Sequence, residues 1–247
     1  MSVFGSAVPP VQVGVCALCH GPVRAGRALC FCCRTGAGAW GADAPPAVVA
    51  LALARNGDPL HRALRGYKDA PGAAARRAHA DALARFLTRQ LAGHRPCLDA
   101  AGLRWDALAV VPSASGRRPD APHPLVDLCG RVPLLAGADH LDVRVRPGAV
   151  RRLHPAPAAC TIAGNVAGRR VLVLDDAWVS GAHVLSVMGA LARAGARVVG
   201  ALVLARLVDP SAAPAVAAWW VRHGARAPDA TAAGARCCLA TCVTTRR

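Results

Sequence analysis

Residues 171–183 restrict the fold of this chain more than any other segment. Four apolar residues, 171–174, predict a buried strand, and the adjacent acids Asp175 and Asp176 come directly after it. A short turn and a run of small residues then begin a predicted helix. In α/β folds, ligands bind at the carboxyl ends of parallel strands. Two carboxylates can bind neighbouring hydroxyl groups and a helix start can bind phosphate, so the segment predicts a sugar-phosphate site.

This segment resembles the phosphoribosyl pyrophosphate (PRPP) signature of the type I phosphoribosyltransferases. That signature has four apolar residues, two acids, two variable residues and then Thr-Thr-Gly-x-Thr. The resemblance implies that Asp175 and Asp176 bind the ribose hydroxyls. An ordinary buried strand that leads into a helix is the alternative interpretation. The loop that the resemblance assigns to the 5′-phosphate consists of Val179, Ser180, Gly181, Ala182 and His183, of which the first and last replace hydroxyl residues.

Two pairs of cysteines near the N-terminus have the spacing of a tetrahedral zinc site. Such a site stabilises a segment that is too short to bury its own core. Cys32 leaves the register of the second pair open, and His20 is an alternative ligand. Disulfides or free thiols are the other interpretation, but no stretch typical of a secretory signal precedes the first pair, which favours zinc. The predicted ligands are Cys16, Cys19, Cys30 and Cys33.

A four-cysteine module followed by a phosphoribosyltransferase-like segment resembles the layout of the ComF family. These are cytoplasmic bacterial proteins associated with competence, the uptake of single-stranded DNA. Residues 60–69, 107–113 and 198–206 resemble further parts of that family. The resemblance implies an α/β fold of the type I phosphoribosyltransferase kind, in which helices flank a parallel sheet. It also implies a structural zinc ion, and Mg²⁺ bound together with PRPP.

We expect three parts: a zinc-knuckle module at 1–40, a phosphoribosyltransferase-like domain at 41–207, and a tail at 208–247 that is weakly packed and partly helical. In the tail, Cys237, Cys238 and Cys242 could form a second metal site with His223, but their spacing matches no common ligand pattern. Helices are predicted at 45–55, 58–67, 72–93, 124–135, 181–194 and 214–221, and strands at 106–111, 142–145, 171–174 and 197–205.

The loops depart most from the family. The loop after residue 112 lacks the family's arginine-containing run, although Ser113, Arg117 and Arg118 are candidates for pyrophosphate binding. Residues 146–170 retain little of the family's mobile catalytic loop. Two functions therefore stay open. One is transfer of a phosphoribosyl group from PRPP to an unidentified acceptor. The other is a non-catalytic accessory role, binding single-stranded DNA or a nucleotide together with DNA-uptake proteins.

The net charge of +16 bears on the choice between these functions. All 14 acidic residues are Asp and 29 of the 30 basic residues are Arg, a choice typical of a genome rich in G and C. The charge attracts nucleic acid non-specifically at low salt, so it is compatible with DNA contact without being evidence for it. No apolar stretch reaches the roughly 18 residues of a transmembrane helix, so we expect a cytoplasmic protein without membrane insertion.

Overall fold

Strands and helices alternate along most of the chain. The computed structural model describes residues 4–38, 40, 45–113 and 123–224. Their strands are β1 (Val48–Ala50), β2 (Leu53–Ala54), β3 (Ala107–Val110), β4 (Asp139–His140), β5 (Val143–Val145), β6 (Cys160–Ile162), β7 (Arg170–Trp178) and β8 (Arg197–Leu207). Their helices are α1 (Phe31–Ala37), α2 (Pro59–Asp69), α3 (Ala73–Ala100), α4 (Pro124–Gly130), α5 (Ala182–Arg193) and α6 (Pro214–His223).

Six of these strands form one parallel sheet in the order β1-β8-β7-β3-β4, with β2 also paired to β8. The strand β7, which carries the two acids, lies between β8 and β3. Strands β5 and β6 form a separate antiparallel hairpin. Val110 of β3 lies opposite Leu174 of β7, so the residues that follow these two positions reach the same edge of the sheet. The predicted fold class, a parallel sheet flanked by helices, is confirmed.

The sheet separates two hydrophobic cores. Successive residues of a strand face opposite sides. Leu172 and Leu174 accordingly pack with α2, α3 and α4, whereas Val171 and Val173 pack with α5 and the N-terminal module. The long helix α3 faces the core with an apolar stripe at helical spacing, whose members are all buried: Leu83, Phe86, Leu87 and Leu91.

The prediction of a helix at 45–55 is wrong. The segment contains β1 and β2, which together pair with β8 along one edge of the sheet. All seven residues from 48 to 54 are buried. A strand buried on both faces has a continuous apolar run, and such a run cannot be distinguished from a buried helix by periodicity.

Other elements differ from prediction mainly in length. The helix predicted at 72–93 continues through Pro96 to Ala100, since Leu98 is buried in the core. The helix predicted at 124–135 ends at Gly130. Helix α6 is better packed than expected for a tail: Trp219 is buried, and its Nε1 donates to the carbonyl of Gly14 at 2.9 Å. None of the described helices has the length and apolar character needed to span a membrane.

Candidate functional site

The two adjacent acids lie at the carboxyl end of the central strand. β7 continues past the predicted end at residue 174 and includes Asp175 and Asp176. The Asp176 side chain is buried, and Asp175 is half-buried. The Asp176 N–H donates to Oδ1 of Asp175 at 2.8 Å, which holds the two acids in a fixed relation.

Helix α2 contributes two side chains to this pair of acids. The Tyr67 hydroxyl donates to Oδ2 of Asp176 at 3.0 Å, and Lys68 Nζ forms an ion pair with the same oxygen. Burial raises the pKa of Tyr67 well above its usual range, and the charge of Asp176 acts in the same direction. Tyr67 therefore stays protonated and donates at neutral pH.

The acids also oppose one another electrostatically. Burial raises the pKa of Asp175 well above its usual range, and the charge of Asp176 raises it further. Lys68 acts in the opposite direction. A carboxylate held in this way costs stability in the folded state. Strongly shifted pKa values of this kind cluster at binding and catalytic sites, and they also occur in structural ion-pair networks.

The loop after β7 forms a tight turn into α5. Gly181, the residue before the helix, has φ = +80°, a left-handed conformation that glycine adopts at little cost. Ser180 Oγ accepts a hydrogen bond of 3.4 Å from the N–H of Ala182. The N–H groups of the first helical turn have no acceptor within the helix, and they carry the positive end of its dipole. An anion is thus favoured at this turn.

The Trp178 side chain lies directly against this turn. A methyl group added at Gly181 would come within 2.1 Å of its indole ring, so no other residue fits without rearrangement. Trp178 is fully buried. At the surface of the loop, Val179 is 51% exposed and His183 is half-buried. Burial lowers the pKa of His183, so its imidazole is neutral at neutral pH and keeps one N–H to donate.

The predicted pyrophosphate residues are only partly described. Ser113 is exposed at the carboxyl end of β3, next to β7. Arg117 and Arg118 lie outside the described residues, as do Cys237, Cys238 and Cys242.

Part of residues 146–170, which retain little of the family's mobile catalytic loop, lies against helices in this structure. Residues 146–159 join β5 to β6, and Leu153 has φ = +71°, which is unusual for a residue other than glycine. The N–H of Ala156 donates to Ser186 Oγ at 2.8 Å, one turn after the start of α5. Pro155 packs near Gly36 of α1 and Pro157 near Gly189 of α5. The segment therefore connects α5 with the N-terminal module.

The four predicted zinc ligands form a buried cluster. Their sulfur atoms all lie within 4.8 Å of one another, and those of Cys19 and Cys30 are 3.8 Å apart. Two sulfurs bound tetrahedrally at about 2.3 Å from zinc are themselves about 3.8 Å apart. Cys32 is not part of the cluster, and Nδ1 of His20 contacts the carbonyl of Pro9 at 3.0 Å. The register with Cys33 is therefore the one that the fold adopts.

The side chain of Arg206, at the end of β8, bears on whether the four cysteines can bind a metal as thiolates. It is 7% exposed, and its Nε has no hydrogen-bond partner among the described residues. Burial lowers the pKa of Arg206, but Cys19, followed by the charges of Cys30 and Cys33, raises that pKa overall. A buried cation requires anions nearby, so these cysteines fit as thiolates. Thiolates this close repel one another unless a cation binds them, and four of them are a donor set typical of structural zinc.

Sequence reasoning gave no site role to four residues: Tyr67, Lys68, Trp178 and Arg206. For two of them a signal exists. Tyr67 is the only tyrosine of the chain, and Lys68 is the only lysine among 30 basic residues. In a composition that otherwise selects arginine, both of these single residues contact Asp176.

No protein-family model matches this chain, and no curated protein matches it. Among solved structures, the chain is similar to the crystal structure of a hypoxanthine phosphoribosyltransferase from Staphylococcus aureus, with 14% sequence identity and a TM-score of 0.29. The similarity covers 53% of this chain and 64% of that chain, so this chain matches less than two thirds of the enzyme's length.

Proposed function

We propose that the protein binds PRPP or a related ribose phosphate at residues 175–183, as a ComF-like member of the phosphoribosyltransferases. One observation carries the proposal: two adjacent carboxylates lie near the carboxyl end of the central strand, and a glycine turn a few residues later starts a helix. The acids suit the two ribose hydroxyls, and the helix start suits the 5′-phosphate. The sequence match to the PRPP signature supports the same assignment.

Each part of the site has a separate role in this proposal. Asp175 and Asp176 accept hydrogen bonds from the ribose 2′ and 3′ hydroxyls. The backbone N–H groups at Gly181, Ala182 and His183 donate to the phosphate. Ser113, Arg117 and Arg118 follow β3 in the sequence and would contact the pyrophosphate.

Lys68 and Tyr67 keep the Asp176 carboxylate in place before the ligand arrives. Preorganised groups lose less freedom on binding, which raises affinity. When a ribose hydroxyl binds Asp176, the ammonium group of Lys68 remains next to that carboxylate and therefore near the bound ribose phosphate. In that position its positive charge attracts the phosphate oxygens of the substrate.

In the transfer reaction, the bond between the anomeric carbon and pyrophosphate breaks while a bond to the acceptor forms. The sugar becomes cation-like in the transition state, and the neighbouring carboxylates stabilise that charge. Mg²⁺ would enter together with PRPP and would supply positive charge for the pyrophosphate group. Holding both ends of the ribose 5-phosphate orients the ring for attack.

Calorimetric titration of PRPP with Mg²⁺ into the zinc-loaded full chain tests this function. Ribose 5-phosphate and a single-stranded oligonucleotide serve as parallel ligands, each at 50 and 200 mM salt. We expect saturable binding of PRPP and of ribose 5-phosphate with a small salt dependence. Absence of both, with oligonucleotide binding that weakens steeply with salt, would replace the proposal with a non-catalytic role in DNA uptake.

We also propose that Cys16, Cys19, Cys30 and Cys33 bind one structural zinc ion. Structural zinc in small cysteine modules contributes about 10–16 kcal/mol of apparent binding free energy. The N-terminal module thus depends on the metal for its folded form.

The variant Cys16→Ser should lose the zinc and unfold the N-terminal module. Elemental analysis should find about one zinc per chain in the parent protein and almost none in the variant. Cys32→Ser is the matched control, since it removes a neighbouring thiol outside the cluster and should keep the metal. Equal zinc content in both variants would exclude the assigned ligand set.

A further inference from the structure

The Arg206 side chain bridges the cysteine cluster and the candidate phosphate loop. Its Nη1 donates to the carbonyl of Trp178 at 3.0 Å and to that of Val179 at 3.2 Å. It also donates to the carbonyl of Leu207. The same guanidinium lies against Gly21 of the cysteine module. One buried group therefore contacts both the module that holds the predicted zinc ligands and the backbone that enters the turn at Gly181.

The packing around Arg206 fixes the guanidinium in this position. A methyl group added at Gly21, which lies between the two cysteine pairs, would come within 2.7 Å of Nη2 and 2.8 Å of Nε. The knuckle backbone thus lies directly against the planar group. Little space remains for the guanidinium to move while the knuckle keeps its form.

Zinc-bound thiolates would make this buried position favourable for a cation. The Nε atom has no hydrogen-bond partner among the described residues, and Gly21, whose carbonyl accepts from the Cys16 N–H at 2.8 Å, lies directly against the guanidinium. When zinc leaves, four close sulfurs do not remain a compact anionic group, because their mutual repulsion is no longer neutralised. A buried guanidinium without its anions is costly, so it leaves its place and the two loop carbonyls lose their donor.

We infer that Arg206 is a positioning residue that couples zinc binding at the four cysteines to ligand binding at the phosphate loop. The identity of the ligand in this inference rests on the proposed function. The effect of Arg206 on the conformation of the loop does not depend on that function. Coupling is reciprocal, so a ribose phosphate must raise zinc affinity by the same factor by which zinc raises the affinity for the ribose phosphate. Zinc availability then regulates the site. Coupling factors of about 5 to 150 are typical.

Two measurements on the zinc-loaded full chain test the inference. The first is hydrogen exchange of the amides at 178–184 without ligand. The second is zinc affinity in a chelator-buffered competition, with and without saturating ribose 5-phosphate. In the parent protein, ribose 5-phosphate should raise zinc affinity about 5-fold or more.

The variant Arg206→Met removes the bridge and leaves all four cysteines in place. It should keep its zinc with about 10- to 100-fold weaker affinity, as for other groups that support metal ligands. Its loop amides should exchange faster, and ribose 5-phosphate should no longer change its zinc affinity. Arg206→Lys keeps the charge and should restore part of the effect. Arg169→Met is the matched control, because Arg169 binds Asp106 and Asp139 at the opposite end of the sheet.

The outcomes separate this inference from the proposed function. If ribose 5-phosphate does not bind the parent protein, the proposed function fails, and loop exchange alone decides the role of Arg206. Unchanged exchange at 178–184 in zinc-loaded Arg206→Met would overturn the inference. If Arg206→Met does not fold, the test is made on the parent protein instead, by removing zinc in steps and measuring exchange at each step. The hydrogen-exchange rate of the loop amides should then increase as zinc is removed, whereas the rate at 83–91 of α3 should not change. Loop exchange that does not depend on zinc would overturn the inference.

Discussion

The double variant Asp175→Asn/Asp176→Asn is expected to bind PRPP about 100-fold more weakly or worse while staying folded. Hydrogen bonds to charged groups contribute about 1.5–3 kcal/mol each, and the variant loses two of them to the ribose. Folding should suffer little, because the substitution removes both causes that raise the pKa of Asp175, the burial of its charge and its repulsion with Asp176. The loss of the Lys68 ion pair offsets part of that gain. Calorimetry and thermal unfolding measure the two effects separately.

The stability effect has a definite pH dependence. Burial and the charge of Asp176 raise the pKa of Asp175 in the folded state, so ionisation of this carboxyl costs stability, and that cost is lost as pH falls through the folded pKa towards the ordinary pKa of aspartate. Any gain in the free energy of unfolding from Asp175→Asn should therefore shrink on acidification.

Asp106→Asn is the control at the other end of the sheet. Desolvation raises the pKa of Asp106, but hydrogen bonds from Arg169 and Arg170 lower it overall, so this variant should lose stability at neutral pH and keep ligand affinity. Full PRPP affinity in the double variant would remove the assigned site.

Gly181→Ala is expected to lower the free energy of unfolding by about 2–5 kcal/mol and to abolish ligand binding. Part of the cost is the left-handed backbone, φ = +80°, at about 1–2 kcal/mol. The rest is overpacking, since the new methyl group would lie 2.1 Å from the buried ring of Trp178, which typically costs about 1–3 kcal/mol. Relief of this clash requires movement of the loop that we propose binds the phosphate. Denaturant unfolding measures the stability.

A second glycine with a similar φ separates the cost of the left-handed backbone from the cost of overpacking. Gly164 has φ = +79°, but nothing lies within 4 Å of an added methyl group. Gly164→Ala should therefore show only the backbone cost and should keep ligand affinity. Equal stability losses in the two variants would mean that Trp178 does not fix the turn.

The parts of the site that sequence predicts are those encoded by short spacings. The two cysteine pairs and the strand-acid-turn segment each lie within a few tens of residues, where motif geometry is local. Tyr67 and Lys68 were missed because they lie 109 and 108 residues from the carboxylate that they contact. Only the sheet topology, which places α2 beside the carboxyl end of β7, brings them together. Arg206 was missed as a bridge for the same reason.

The errors in the fold also have physical causes. The apolar run at 45–55 has no periodicity that separates a strand from a helix, and it became edge strands because β8 offered a free side for pairing. Gly93 suggested an end to α3, but glycine costs only about 1 kcal/mol in a helix. Burial of Leu98 beyond it outweighs that cost. In both cases tertiary packing overrides a local preference.

Nuclear magnetic resonance of the ¹⁵N-labelled, zinc-loaded chain titrated with ribose 5-phosphate tests the central claim most directly. The claim is that the acids of β7 and the start of α5 hold a ribose phosphate. We expect saturable shifts concentrated on the amides of residues 175–184, with inorganic phosphate shifting only those of 179–184. No shift at these amides under saturating ligand, or shifts spread over the arginine-rich surface, would contradict the claim.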